Sequence, residues 1–341
     1  MNKAVQIRQQ PKIRMPSGVP GLPQPPEPVY RGVAGTALLV HTLLYLFFMV
    51  LKQFWPPLAN LVGGDSLKAF VAGGILVQGG LILIPAVVIL ILFPIPPADL
   101  IGAKANAGSL ILAVTAGIPA AVIFQGLNNL LIYVLVRSGV NLPQPAAVVG
   151  PAGSDLLRQP WPVLLLILVI SIIMPGLVEE LFFRGILLSS LSSSGAFAAA
   201  LIAQALAFAL FHADMLFILP PFLAGLLLGY IRRQCGSLWP AMLTHMSLNL
   251  SLIAINPLLP RITAQYMTGS AQQTTSLLYA SLIAACIAAV AFVPLLVLIG
   301  SLRPHPPHTP PQQARRRFWP GDWKFALAIV LQIVTLVLLS L

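Results

Sequence analysis

The sequence predicts an all-α protein, a polytopic bundle of transmembrane helices, on two grounds: its composition and the length of its apolar runs. Of the 341 residues, 58% are hydrophobic and 8% are charged, whereas a soluble domain carries about 25% charged residues. Apolar runs of about 20 residues recur along the chain, which is the length that a helix needs to cross a bilayer. The runs are continuous rather than alternating, which argues against a transmembrane β-barrel. We therefore predict a bundle of about nine, and roughly eight to ten, helices.

The apolar runs and the Pro-rich stretches between them divide the chain into successive parts. The apolar segments cover roughly 33–55, 69–93, 109–136, 161–191, 196–213, 216–231, 236–256, 274–301 and 324–341. The parts are a disordered, basic, Pro-rich cytoplasmic tail at 1–32, N-terminal transmembrane helices at 33–160, a helical core with the candidate catalytic residues at 161–256, an eighth transmembrane segment with its preceding loop at 257–301, a basic Pro-rich linker at 302–323 and a C-terminal transmembrane helix at 324–341. Pro175 and Gly176 are expected to distort the fourth apolar segment.

The formal net charge of +11 does not indicate a nucleic-acid partner, because the basic residues lie mainly between the apolar segments. With a cytoplasmic N-terminus, 13 of the 19 lysines and arginines fall in cytoplasmic segments and five in outer segments, as the positive-inside rule requires. We expect an integral protein of the bacterial cytoplasmic (inner) membrane, with lipid and a membrane protein or peptide substrate as its partners. Cys235 and Cys286 have no metal-type spacing and indicate no disulfide framework.

Two adjacent carboxylates in the fourth apolar segment are the strongest sign of function. Ionisable residues at membrane depth are costly and mark functional sites, and Glu179 and Glu180 lie there together with Arg184. Positions four apart share a helix face, so Glu180 is expected to pair with Arg184. Glu179 points about 100° away and has no cation nearby in the sequence, which suits a general base. The plainer alternative, a buried ion pair that ties helices together, accounts for Glu180 alone.

Two histidines and an asparagine follow on later segments. His212 lies one turn after Phe208, and His245 lies one turn before Asn249, so each pair shares a helix face. A single histidine in a membrane helix is usually a packing hydrogen-bond donor, and we assign no role to His41 of the first segment. At about 1.5 Å per residue, the polar groups of three helices lie at overlapping depths, roughly 14–24 Å from the cytoplasmic ends of those helices. We predict that they form one site with the carboxylates.

These residues resemble the motifs of a known family. EELFFR at 179–184, FALFH at 208–212 and HMSLN at 245–249 are similar, in the same order, to the EExxxR, FxxxH and HxxxN motifs of the CPBP (CAAX protease and bacteriocin-processing, or Abi) intramembrane proteases. The type II CAAX prenyl protease is the eukaryotic member of that family. The resemblance covers about 161–256. It implies an intramembrane endopeptidase, named as a metalloprotease, that hydrolyses membrane-associated, prenylated or leader-type protein substrates.

The resemblance also implies roles for the individual residues. Glu179 and His212 would activate a water, while His245 and Asn249 would stabilise the tetrahedral oxyanion. The supporting residues would be Glu180, Arg184 and Phe208. We favour a water activated by protein groups without a metal cofactor. Zinc held by Glu179, His212 and His245 is the alternative, although the sequence contains no HExxH helix.

Two other functions stay open at this stage. A non-catalytic membrane protein can use the same fold as an immunity factor or as a scaffold for partners. A transporter can relay protons through Glu179 and His212, although the pattern lacks the paired broken helices typical of transporters. Replacing Glu179 by Gln distinguishes a peptidase from a scaffold, and ion flux in liposomes tests the transporter.

Overall fold

The structure, a computed structural model, describes residues 32–63, 66–93, 95–140, 159–194, 197–262, 270–302 and 322–340. Within these ranges every named element is a helix and no strand is present, which confirms the predicted all-α class. Residues 1–31 of the predicted tail and 303–321 of the predicted linker lie outside the described residues.

The helices follow the apolar segments. They are α1 (Val33–Phe54), α2 (Pro56–Val62), α3 (Leu67–Leu92), α4 (Pro97–Leu100), α5 (Ala107–Arg137), α6 (Trp161–Ser192), α7 (Phe197–Phe211), α8 (Leu219–Cys235), α9 (Leu238–Ile255), α10 (Ala271–Ser301) and α11 (Trp323–Ser340). Among the described residues, six helices are long and apolar enough to span a membrane: α1, α3, α5, α6, α9 and α10. Every predicted apolar segment coincides with one of these six or with α7, α8 or α11. The predicted polytopic bundle is therefore confirmed, and only the short helices α2 and α4 were not predicted.

Two of the spanning helices depart from α-helical geometry next to a proline. In α3 the stretch Leu76–Leu83 is π-helical and Pro85 follows it. In α6 the stretch Val169–Ile173 is π-helical and Pro175 follows it. A proline has no N–H, and its ring clashes with the carbonyl of the residue four positions earlier. The distortion predicted for α6 is therefore present, in the form of wide helical turns.

Side chains of neighbouring helices donate hydrogen bonds to the backbone of both distorted stretches. In α3 the carbonyl of Leu81 accepts a hydrogen bond from Nδ1 of His41 at 2.8 Å. In α6 the carbonyl of Ser171 accepts a hydrogen bond from the amide Nδ2 of Asn249 at 3.2 Å. Neighbouring side chains are usual partners for the backbone of membrane helices near a proline. His41, to which the sequence analysis assigned no role, thus bonds the backbone of α3.

Helix α6 contributes the largest side chains at the centre of the bundle. Phe182, Phe183, Ile186 and Leu187 have no exposed surface, and they belong to a core that also takes residues from α1, α3, α5, α7, α8 and α9. These neighbours surround the stretch of α6 that carries the two carboxylates, which keeps that stretch away from lipid.

Two glycines allow helices to approach α6 closely. A Cβ atom on Gly176 of α6 would collide with Cγ of Met246 and lie 3.2 Å from the carbonyl oxygen of Met242, both on α9. A Cβ atom on Gly74 of α3 would collide with Cγ2 of Ile170 on α6. The absence of a side chain at these positions therefore sets the spacing of α3 and α9 against α6.

We expect Gly176→Ala to lower the free energy of unfolding by about 1–3 kcal/mol, as overpacking of a filled interface does. Gly79→Ala is the matched control, because a Cβ atom at Gly79 meets nothing within 4 Å and alanine favours a helix. Thermal unfolding of the two purified variants in the same detergent checks this. Equal unfolding temperatures for Gly176→Ala and the wild type would show that α9 does not depend on close contact at Gly176.

Candidate active site

Three of the predicted site residues lie buried on α6. The exposed fraction is 3% for Glu179 and 0% for Glu180 and Arg184. Nη1 of Arg184 donates a hydrogen bond to Oε1 of Glu180 at 2.5 Å, one helical turn away, as the spacing in the sequence predicted. Glu179 also faces the interior of the bundle. The charged groups of α6 are therefore enclosed by protein.

His245 of α9 lies between the two carboxylates. Its Nδ1 is 2.8 Å from Oε1 of Glu180, and its Nε2 is 3.9 Å from Oε2 of Glu179. An ionised carboxylate only accepts hydrogen bonds, so Nδ1 donates to Glu180 and carries the hydrogen. Oε1 of Glu180 therefore accepts from both Arg184 and His245. Glu180, predicted as the partner of Arg184 alone, also fixes the orientation of the imidazole.

The ring of Phe208 on α7 connects the buried cation with both histidines. Cζ of Arg184 lies 4.3 Å from the ring centroid, within range of a cation–π interaction. The ring centroids of His212 and His245 lie 4.9 and 5.8 Å from that of Phe208, both in edge-to-face geometry. The motifs on α6, α7 and α9 are thus in contact through one aromatic ring.

His212 follows the last residue of α7, and its side chain is exposed. Its Nδ1 donates to the carbonyl of Phe208 at 2.8 Å, so in the neutral ring Nε2 is the basic nitrogen. Glu179 and His245 are close enough to act on it electrostatically. His212 therefore forms the accessible edge of an otherwise buried cluster.

Asn249 lies one turn after His245 on α9, yet its contact is with the backbone. Its Nδ2 donates to the carbonyl of Ser171 in the π-helical stretch of α6. An amide nitrogen has two hydrogens, so this contact engages one of the two. A role for Asn249 as an oxyanion donor stays a prediction, alongside the structural role that the hydrogen bond shows.

Gln78 of α3 is a site residue that the sequence did not reveal. Its Nε2 donates to Oε1 of Glu179 at 2.6 Å, and both side chains are buried. Its position inside an otherwise apolar run could have marked it as a candidate, because polar residues at membrane depth usually bond a neighbouring helix or have a function. No sequence pattern links it to a glutamate on another helix, 101 positions later.

Several buried polar atoms of this cluster have no hydrogen-bond partner among the described residues. They are Oε1 of Gln78, Oε2 of Glu179, Oε2 of Glu180, and Nε and Nη2 of Arg184. Buried polar atoms are normally paired, so each exception calls for an explanation such as a catalytic role or a bound water. These atoms give the cluster free hydrogen-bonding capacity for a water or a polar ligand.

The cluster matches a zinc site in the type of its side chains but not in how they are placed. The histidines leave Nε2 free, and a carboxylate accepts from Nδ1 of His245, as is usual for ligating histidines. A zinc site, however, takes at least three protein ligands. Among the described residues, no three His, Cys, Asp or Glu side chains lie together in a way that could hold a metal ion. We therefore derive no step of a reaction through zinc.

Comparison with known proteins agrees with the motifs. Residues 160–251 match the family model described as Rce1-like, type II CAAX prenyl endopeptidase. This segment contains all of the motif residues from Glu179 to Asn249, which confirms the resemblance to the CPBP and CAAX proteases. No curated protein and no solved structure matches the chain.

We expect Arg184→Ala to destabilise the protein by about 3–5 kcal/mol, because it leaves the buried carboxylate of Glu180 without its cation. Arg261→Ala is the control: Arg261 pairs with Asp214 at 3.8 Å, its side chain is 36% exposed and its guanidinium lies over the ring of Phe217, so the loss should be about 1–2 kcal/mol. Protein abundance in membranes and the unfolding temperature measure both effects. Similar losses in the two variants would contradict a special dependence on the buried pair.

Proposed function

Since residues 160–251 match the family model described as Rce1-like, type II CAAX prenyl endopeptidase, we propose that this integral membrane protein is an intramembrane endopeptidase. It hydrolyses a peptide bond of a membrane-associated protein of the prenylated or leader type, using a water activated by glutamate and histidine. One observation carries the proposal: Glu179 is buried, and its Oε2 has no partner among the described residues and lies 3.9 Å from Nε2 of His245.

The first half of the reaction uses Glu179 as the base. Its Oε2 takes a proton from a water as the water oxygen attacks the carbonyl carbon of the substrate, and the carbonyl oxygen becomes an oxyanion. His212, with Nε2 free, assists in holding or deprotonating the water. The protonated Glu179 then gives its proton to the leaving nitrogen as the C–N bond breaks, so the carboxyl group returns to its starting state.

The second requirement is a set of donors for the oxyanion, which in a low-dielectric site contribute much of the rate. In its charged form, His245 donates from both ring nitrogens: Nδ1 to Glu180 and Nε2 to the oxyanion. The remaining amide hydrogen of Asn249 is the second donor. Glu180 and Arg184 act on the reaction through His245, by fixing its ring and by balancing charge.

The proposal includes the orientation of the chain. The protein resides in the bacterial inner membrane with its N-terminus in the cytoplasm. The distribution of lysine and arginine between the apolar segments supports this orientation. The base and the histidines then lie at the depth of the bilayer, where the peptide bond of a membrane-associated substrate has access to them.

We expect Glu179→Gln and His212→Ala to abolish cleavage while protein levels stay near those of the wild type, because neither change strands a buried charge. The membrane proteome of a deletion strain is compared after complementation with the wild type or with each variant. Asp322→Asn, a carboxylate-to-amide change at a residue that bonds the backbone of α1, is the control and should restore cleavage. Full processing by Glu179→Gln would favour the non-catalytic scaffold instead.

Metal analysis distinguishes a water activated by protein groups from a water activated by zinc. For a water activated by protein groups, the purified active protein should contain much less than one zinc per chain and should keep its activity after treatment with a chelator. Stoichiometric zinc, together with activity that is lost to the chelator and restored by zinc but not by buffer, would overturn the metal-free choice. Glu179, His212 and His245 would then be the ligands to test.

A further inference from the structure

Gln78 contacts the candidate base from a helix outside the segment that matches the family. It lies in the π-helical stretch Leu76–Leu83 of α3, its side chain is 7% exposed, and its Nε2 lies 2.6 Å from Oε1 of Glu179. Gly74, one turn earlier, lets α3 come close enough to α6 for this contact, because a Cβ atom there would collide with Ile170.

The direction of this hydrogen bond determines which oxygen of Glu179 remains available. An ionised carboxylate offers only acceptors, so the amide of Gln78 presents its NH₂ group to Oε1. Oε1 is thereby engaged. Oε2, which has no partner among the described residues, is the oxygen that faces Nε2 of His245 at 3.9 Å. One glutamine therefore distinguishes two otherwise equivalent oxygens.

We infer that Gln78 is a positioning residue that holds the carboxylate of Glu179 with Oε2 directed at the reacting water. The inference rests on the proposed peptidase function. The carbonyl Oε1 of Gln78 is also buried and without a described hydrogen-bond partner.

Gln204 provides a matched comparison for a glutamine that only joins two helices. It is fully buried on α7, and its Nε2 donates to the backbone carbonyl of Gly225 on α8 at 2.8 Å. Its Oε1 is buried and has no described partner, as in Gln78. The two glutamines therefore differ in the acceptor of the amide, which is a catalytic carboxylate for Gln78 and a helix backbone for Gln204.

The first test is spectroscopic and independent of activity. The chain contains three glutamates, Glu27, Glu179 and Glu180, so protein labelled with ¹³C at the glutamate carboxyl gives three carboxyl resonances, and Glu179→Gln assigns one of them. Gln78→Met should shift the Glu179 resonance and leave that of Glu180 in place. Gln204→Met should shift neither. An unchanged Glu179 resonance in folded Gln78→Met protein would overturn the inference.

The second test is kinetic and uses the full chain in liposomes with a farnesylated fluorogenic peptide as the probe. Gln78→Met should lower kcat about tenfold to a hundredfold with KM unchanged, since the base is misdirected while the peptide still binds. Gln204→Met should lower the unfolding temperature and leave kcat and KM unchanged. Equal kcat for Gln78→Met and the wild type would overturn the positioning role.

A peptide that the wild type leaves intact would contradict the proposed function for prenylated substrates. The Glu179 resonance would still decide whether Gln78 holds that carboxylate, so the two failures are distinguishable.

Discussion

The arrangement of the site depends on one carboxylate oxygen, Oε1 of Glu180, which accepts hydrogen bonds from Arg184 on its own helix and from His245 on α9. Burying an ion is costly unless it is paired and hydrogen-bonded, and this oxygen has both a cation and an imidazole. The shared oxygen fixes the rotation of α9 against α6. It also ties Arg184 to the ring of Phe208, and through that ring to His212.

Some polar side chains of the spanning helices serve the backbone of a neighbouring helix. His41 and Asn249 donate hydrogen bonds to the carbonyls of Leu81 and Ser171, in the distorted stretches of α3 and α6. Side chains of neighbouring helices commonly satisfy the backbone of a membrane helix near a proline. A polar residue at membrane depth is therefore not by itself a sign of catalysis. What distinguishes Glu179 is a buried carboxylate oxygen that has no described hydrogen-bond partner and faces Nε2 of His245 at 3.9 Å.

The sequence was sufficient for features that depend on one helix at a time. Apolar runs long enough to cross a bilayer located the helices, and the spacing of four predicted the contact of Glu180 with Arg184. The sequence predicted contacts between helices only for the residues of the three motifs. The bond from Gln78 to Glu179 depends on how close α3 approaches α6, which Gly74 and the π-helical turns set. Neither the hydrophobic pattern nor the motif spacing encodes that distance.

The charges of the cluster suit a reaction that moves one proton from water to Glu179 and then to the leaving nitrogen. With His245 in its charged form, the two cations Arg184 and His245 balance the two carboxylates Glu179 and Glu180. When Glu179 takes a proton from water, its negative charge passes to the attacking oxygen and then to the oxyanion, so the total charge of the buried cluster is constant. A low-dielectric site favours such a transfer over one that separates charge, because preorganised donors need no reorganisation. The ion pair of Glu180 and Arg184 keeps its charges throughout, so the charge that moves is that of Glu179.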